Sequence, residues 1–424
     1  MIKKLLILLI AAFVSMCPGM WAQNHTGGFS KTGYVLYLNS TDNEMLELVD
    51  PSLEEFLTFS SDDENVVSLD VDGKTLIPKG AGETTITAHS SLSIIADFKI
   101  GVKVIDSNNP NELYVRVKSN DAIPESGIII SKCPALRQDI TPYKYVMMYN
   151  SNGSDAGVRS DRVYGDGEII FYPAEWKNSA INVFDKLESN IYKIKNGNKF
   201  LQPTNSGIVK YGSDVEDAKA TMSIEDNYLT VHFSGWSSER NLYYDNDNTK
   251  FKYVKEPLYP VELYTLRTVT FEAPDVNGVK VCIDGNINSS DNIQLEEGDH
   301  QLTFTDIPEE AKLYYKFSTS GAPQQVIAKE GTNGEWTRYV DGQPITVNKS
   351  SGQIEFYTES HGLKSNLKVK SFTVPTGSNC IEIDSNDIEA TVYFDLGGNR
   401  VNPTDLRPGI YIKRVGAKTE KVVI

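Results

Sequence analysis

Cysteine, long apolar runs and cationic residues are all scarce in this chain, and each scarcity closes off a class of function. Its 424 residues hold four cysteines, and three of them, Cys133, Cys282 and Cys380, are scattered and without a CxxC spacing. Such a set points neither to a disulfide framework nor to a zinc site, so these thiols are expected to be buried and free, with one bridge at most. No segment carries the roughly 20 apolar residues that a helix needs to span a bilayer. Lysine and arginine total 41 against 57 acids, a formal net charge of −16. Phosphate contacts need clustered Lys and Arg, so nucleic acid is not an expected partner.

Catalytic motifs are missing in the same way. The histidines, His25, His89, His232, His300 and His361, never fall within metal-ligand spacing of one another, and there is no HExxH. No GxSxG elbow marks a hydrolase, and Cys133, followed by Pro134, carries no nucleophile signature. Paired carboxylates stay open, because 57 acids supply many pairs, although no block large enough for a glycosidase scaffold lies between the short strands. The expectation is a chain with no catalytic activity, no cofactor and no metal. Asp245–Asn248 with Glu256 has the outline of a calcium loop, but Lys250 stands where that turn requires Gly, so the segment reads as a polar hairpin turn.

What the chain does have begins with Lys3 and Lys4 ahead of the apolar run Leu5–Val14, followed by Ala22. This is the pattern of a secretory signal peptide over residues 1–22, cleaved near Ala22–Gln23. Cys17 offers an alternative, a lipidated cysteine, against which the bulk of Met16 argues. At about 400 mature residues and roughly 100–150 per domain, three or four domains are expected. β-Branched and aromatic runs closed by Gly, Asn, Asp, Pro or Ser recur throughout, as in Tyr34–Leu38, Glu168–Tyr172, Tyr228–Phe233 and Gln353–Tyr357. Sustained helical periodicity is missing, so the fold class is all-β: serial small β-sandwich modules around a central closed one.

Residues 28–105 form the first module. Phe59–Asp70, Gly73 and Pro78–Ala88 read as a strand, an acidic turn, a strand, a hairpin, a tight bend at Gly80–Gly82 and an alternating strand. This run resembles the bacterial immunoglobulin-like family, group 2, with Phe59 where that family usually has Trp. The resemblance implies an Ig-like β-sandwich used as a spacer or adhesion module. After a polar linker at Asp106–Asn111, residues 112–266 are expected to form a β-barrel or trefoil-like unit, since closure hides strand edges. Its ending, Leu242–Asn246, Lys250–Tyr253 and Pro260–Tyr264, resembles a module common in secreted proteins of gut bacteria.

Residues 267–375, through Leu313–Ser318, Trp336–Tyr339, Pro344–Tyr357 and His361–Ser365, are similar to the small β-sandwich appended to chitobiase. That resemblance implies an accessory Ig-like module without a catalytic residue. Residues 378–424, with Val392–Val401, Leu406–Arg414 and Lys421–Ile424, read as three strands with bends at Gly397–Gly398 and Pro408–Gly409. They resemble the C-terminal sorting domain of type IX secretion cargo in Bacteroidetes, which implies contact with export machinery.

Aromatics supply the candidate ligand site, because ring faces stack on the apolar faces of sugars. Trp176, Trp236 and the Tyr243–Tyr244 pair fall in the central module, where the alternative is that they fill its core. Trp236, in the loop-like Gly235–Ser238, is the first to test. The expected function is a secreted or cell-surface, non-catalytic binding or adhesion protein with a glycan, host protein or envelope protein as partner. An accessory glycan-binding or glycan-degrading component and a structural envelope protein are the alternatives.

Overall fold

Short β-branched and aromatic runs have neither the length nor the period for helices, so their backbone groups are satisfied by strand pairing. The computed structural model describes residues 28–92, 95–134, 143–150, 158–173, 178–213, 216–237, 239–255, 257–318, 335–348, 352–373, 391–415 and 418–424. Among these the protein is all-β, with only short 3-10 turns besides its strands. The signal segment 1–22 with Cys17, and also Trp176, Glu256, Cys380 and residues 378–390, lie outside the described residues. Contacts group the chain into two units: Met1–Pro274 with Glu359–Ser365, and Asp275–Thr358 with Asn366–Ile424.

The first unit begins with an Ig-like sandwich of β1 (Tyr34–Tyr37), β2 (Leu57–Ser61), β3 (Val67–Leu69), β4 (Leu76–Pro78), β5 (Gly82–Ser90) and β6 (Phe98–Ile105). One sheet runs β1-β6-β5-β2, and β3 pairs β4. Val67 and Leu76 of the small pair share one core with Phe29, Ile86 and Ile100 of the main sheet side, all fully buried, and Phe59 packs against it. Within the same unit Glu359, 2% exposed, accepts hydrogen bonds from Ser40 Oγ and the Thr41 N–H, both at 2.9 Å. The His361 ring packs on Tyr37 and on Phe271, each at 4.8 Å between centroids.

Fourteen strands follow: β7 (Asn111–Arg116), β8 (Ser126–Pro134), β9 (Tyr143–Tyr149), β10 (Arg159–Gly165), β11 (Ile169–Phe171), β12 (Asn182–Glu188), β13 (Ile191–Asn196), β14 (Lys199–Pro203), β15 (Val209–Gly212), β16 (Lys219–Glu225), β17 (Tyr228–Phe233), β18 (Asn241–Asp245), β19 (Lys250–Val254) and β20 (Tyr259–Val269). Ten of them close a circuit, β12-β8-β9-β10-β11-β7-β20-β17-β16-β13 and back to β12. The barrel reading of the central module is therefore the one found.

A further pairing of β8 with β20, from Val261↔Ser131 to Tyr264↔Ile128, crosses that circuit and divides its interior in two. Strand residues alternate between faces, so β8 feeds both halves. Ile128 and Ile130 join Tyr145, Met147, Val163 and Tyr264 in one core. Ile129 and Cys133 join Phe184, Met222, Leu229 and Leu263 in the other. Both faces of β8 are interior, which is why Ile128–Ile130 is an unbroken apolar run. Gly127 lets the two strands meet, since a Cβ there would lie 2.5 Å from the Tyr264 carbonyl oxygen. Cys133 and Cys282 are buried and form no disulfide among the described residues.

The second unit carries β21 (Lys280–Ile283), β22 (Asn286–Asn288), β23 (Asn292–Gln294), β24 (His300–Thr305), β25 (Lys312–Ser318), β26 (Thr337–Arg338), β27 (Ile345–Val347), most of β28 (Gln353–Ser360) and β30 (Lys368–Thr373); β29 (Leu363–Lys364) pairs the end of β28. Sheets β22-β21-β24-β27 and β23-β30-β28-β25-β26 enclose Leu302, Phe304, Leu313, Ile354 and Phe356. Last come β31 (Thr391–Phe394), β32 (Arg400–Val401), β33 (Ile410–Val415) and β34 (Lys418–Val423), in the order β32-β31-β33-β34. The two-residue β32 makes this a four-stranded sheet where three strands were expected.

Candidate functional site: a cationic cleft on the central barrel

The β9–β10 hairpin has one face toward the first barrel core and the other toward the β18–β19 hairpin. Register pairs Ser160 with Met148 and Arg162 with Val146, so these four share the second face with Val158. Tyr244 and Phe251 pack beneath them, with ring centroids 5.0 Å apart. The Tyr244 hydroxyl lies 3.3 Å from Ser160 Oγ, which in turn donates to the Thr249 carbonyl at 3.3 Å. Burial pushes the Tyr244 phenol up, so it stays a protonated donor at neutral pH.

The turn that carries Thr249 and Lys250 is pinned from both sides. Asp245 accepts from the Asn248 N–H at 3.2 Å and from Asn248 Nδ2 at 2.7 Å, and pairs with Lys252 at 2.5 Å. Although burial opposes ionisation, the Lys252 ammonium and the Asn248 hydrogen bonds hold the Asp245 carboxyl below its ordinary value. Asn246 Nδ2 donates to the Pro134 carbonyl at 2.9 Å, tying the turn to the end of β8. The polar hairpin turn expected at Asp245–Asn248 is what forms.

Between these hairpins lies a cleft of about 560 Å³. Among the described residues Lys144, Arg159, Arg162 and Lys250 line it against one acid, Asp161, and hydroxyls of Ser160, Tyr244 and Thr249 complete its polar wall beside Tyr149. The Arg162 guanidinium lies over the Tyr164 ring at 5.1 Å. A second cavity of about 420 Å³, where Ser30–Val35 faces Lys132, Tyr143 and Asp166, has its charges matched. There Lys31 pairs with Glu44 at 2.8 Å and Glu47 at 3.1 Å. Lys132 stands over Tyr143 and Tyr145, at 5.4 and 5.8 Å from their centroids.

Of the aromatics picked out by sequence, Tyr244 reaches the cleft, and only through its hydroxyl edge, being 1% exposed. Tyr243 points to the opposite face of β18, half-buried, opposite Lys252 and Pro260. Trp236 lies at the other end of the hairpin, edge to face with Tyr253 at 6.2 Å and with the Arg240 guanidinium over its ring at 5.3 Å. One face of that indole is thus occupied by a cation. Trp176 lies outside the described residues. Sequence reasoning missed the four cations, which come from three strands and are grouped by no single segment of the sequence.

Two other constellations have the look of chemistry. Glu262, 3% exposed, pairs with Arg116 at 2.9 Å, and the Tyr264 hydroxyl lies 2.9 Å from both the Glu262 carboxylate and the Gly167 carbonyl. Burial raises the Glu262 carboxyl above its ordinary value, against the pull of Arg116. This cluster is sealed inside the barrel and braces it. On the Ig-like sandwich, His89 Nε2 lies 2.9 Å from Ser60 Oγ and Nδ1 lies 2.8 Å from Asp97, the connectivity of a nucleophile, base and orienting acid. His89 and Asp97 are 48% and 53% exposed, so water screens the dipoles that make such a relay effective. Ser60 also lies within an edge strand, not at a strand-to-helix elbow that aims N–H groups at an oxyanion.

No protein-family model matches the chain, and no curated protein does. Among solved structures, it is similar to a protocadherin gammaB7 EC3-6 cis-dimer, 11% identical over 94% of this chain and 99% of that one, with a TM-score of 0.16. Domains 4-9 of the surface layer protein SbsC match at 14% identity over 94% of this chain and 71% of that one, TM-score 0.15. Immunoglobulin domains 1-5 of Sidekick-1 match at 8% identity, over 82% and 80%, TM-score 0.15. Likeness of this size supports no inference about function.

Proposed function

We propose that the protein is an exported, non-catalytic binding protein whose central barrel holds a saccharide, with Ig-like modules on either side of it in sequence. The observation that carries this reading is the cleft between the β9–β10 and β18–β19 hairpins, where fixed hydroxyls and charged side chains converge on an open groove. Ligand sites need such convergent polar groups on a rigid scaffold, and a closed barrel supplies the rigidity. Export rests on the signal pattern of residues 1–22 and on the likeness of residues 378–424 to type IX sorting domains of Bacteroidetes, which makes secretion or the outer surface the proposed location.

The test is a glycan array probed with the full chain and two variants. Removing both cleft hydroxyls, with Ser160→Ala and Tyr244→Phe together, is expected to weaken retention about tenfold or more, the worth of one or two hydrogen bonds. Trp236→Ala is expected to leave it unchanged, because that ring packs at the far end of the hairpin. A wild-type chain that retains no glycan, or a reversed ranking of the two variants, would sink this reading.

A further inference from the structure

We propose that the saccharide taken by this cleft is anionic, a polysaccharide bearing carboxylate or sulfate groups. This deepens the saccharide reading and rests on it. Acids outnumber bases 57 to 41 in the chain, so an ordinary patch of its surface should carry more acid than base. Among the described residues the cleft reverses that balance, with Lys144, Arg159, Arg162 and Lys250 set against Asp161. Their placement is built into the fold. Arg159 and Arg162 come from one strand, and Lys250 follows a turn held by Asp245 and anchored to Pro134.

Arg159 and Lys250 form no ion pair among the described residues, in contrast to Lys31 of the other cavity, which is matched by two glutamates. A guanidinium fork fits the paired oxygens of a carboxylate or sulfate, and an ammonium nearby adds a point charge. The Tyr244 and Ser160 hydroxyls at the base, their protons directed to Ser160 Oγ and to the Thr249 carbonyl, can still accept hydrogen bonds from sugar hydroxyls. A single-stranded nucleic acid fits less well, because it would need several exposed ring faces on which bases stack, and of the two cleft rings Tyr244 is 1% exposed and Tyr149 is half-buried.

The full-chain protein should be titrated against dextran, dextran sulfate, polygalacturonate, fully methyl-esterified polygalacturonate and oligo-dT, over a range of salt. Expected is binding to at least one of the two charged polysaccharides, none to its uncharged counterpart, and weakening as salt rises. Which charged polymer binds assigns sulfate or carboxylate. Arg159→Ala with Lys250→Ala should cost about tenfold or more, the scale of a charge-assisted hydrogen bond. Lys186→Ala with Lys199→Ala, an equal change of charge at two exposed positions outside the cleft, should cost nothing measurable. Equal binding of charged and uncharged polymers overturns the anionic assignment and leaves the saccharide reading standing. Failure of all four polysaccharides, or tighter binding of oligo-dT, overturns both. An equal loss in the two double variants shows diffuse charge attraction and removes the cleft as its seat.

Discussion

The central barrel and the C-terminal sheet are built from similar strands, yet they solve the problem of burial differently. Closing ten of the strands β7–β20 into a divided circuit makes both faces of β8 and β20 interior, and the large rings of Phe233, Tyr244, Phe251 and Tyr264 are essentially inaccessible to water. The β31–β34 sheet is open, and none of its described residues is buried; Leu396 and Val423 remain 69% and 78% exposed. Pairing satisfies backbone groups in both, but in the barrel closure also removes apolar side chains from water and abolishes the edges. The barrel can thus hold side chains to fixed positions, as a binding site requires. Four short strands with two wet faces hold few side chains in place by packing.

This contrast is open to attack. The largest effect should come from Phe251→Ala, which empties a fully buried ring site and should cost the barrel about 3–5 kcal/mol. Phe394→Ala in the half-exposed β31 should change stability by less than about 1 kcal/mol. Hydrogen exchange, which resolves local opening in a multi-domain chain, is the measurement for both. A comparable loss of protection in the two variants would erase the distinction.

Ion pairs sharpen the same comparison. Glu262→Ala leaves the mostly buried Arg116 without its carboxylate and should destabilise the barrel by about 3 kcal/mol. Because burial raises the Glu262 carboxyl in the folded state, its favourable contribution is fully present below the ordinary carboxylate value and is lost as pH rises through the raised folded one. The stability of Glu262→Gln relative to wild type should therefore improve with rising pH across that interval and then level off. Thermal melts at several pH values check this, and a trend of the opposite sign would mean that Arg116 outweighs burial.

The smallest effect belongs to the tail. Lys413 and Glu420 pair at 3.0 Å on its surface, and that bond raises the lysine's pKa. Exposed pairs of this kind seldom register. Glu420→Gln should leave exchange in β33 and β34 unchanged at any salt concentration, and a clear loss of protection there would show that the sheet depends on its charges.

Alternation and turn chemistry made most strands legible, and the β18–β19 hairpin was readable from its polar turn Asp245–Asn248. The run Ile128–Ile130 was legible only as apolar, since a strand buried on both faces has no period to reveal its partners. Its pairing with Tyr259–Val269, more than a hundred residues on, leaves no local trace. Tyr244 stood out as an aromatic, whereas Arg159 and Arg162 looked like ordinary polar positions on a strand. Trp236 was the more attractive of the aromatics in sequence, and its Arg240 partner became visible only in three dimensions.

By itself the sequence determined the all-β class, the positions of most turns and the net negative charge, because these depend on local propensity and composition. Tertiary structure alone decided that the central strands close on themselves and that β8 and β20 split the interior. It also decided that four cations from three strands face one cleft in an acidic protein. The reason is physical: strand pairing and side-chain convergence join residues distant in the chain, and no short window of sequence contains both partners.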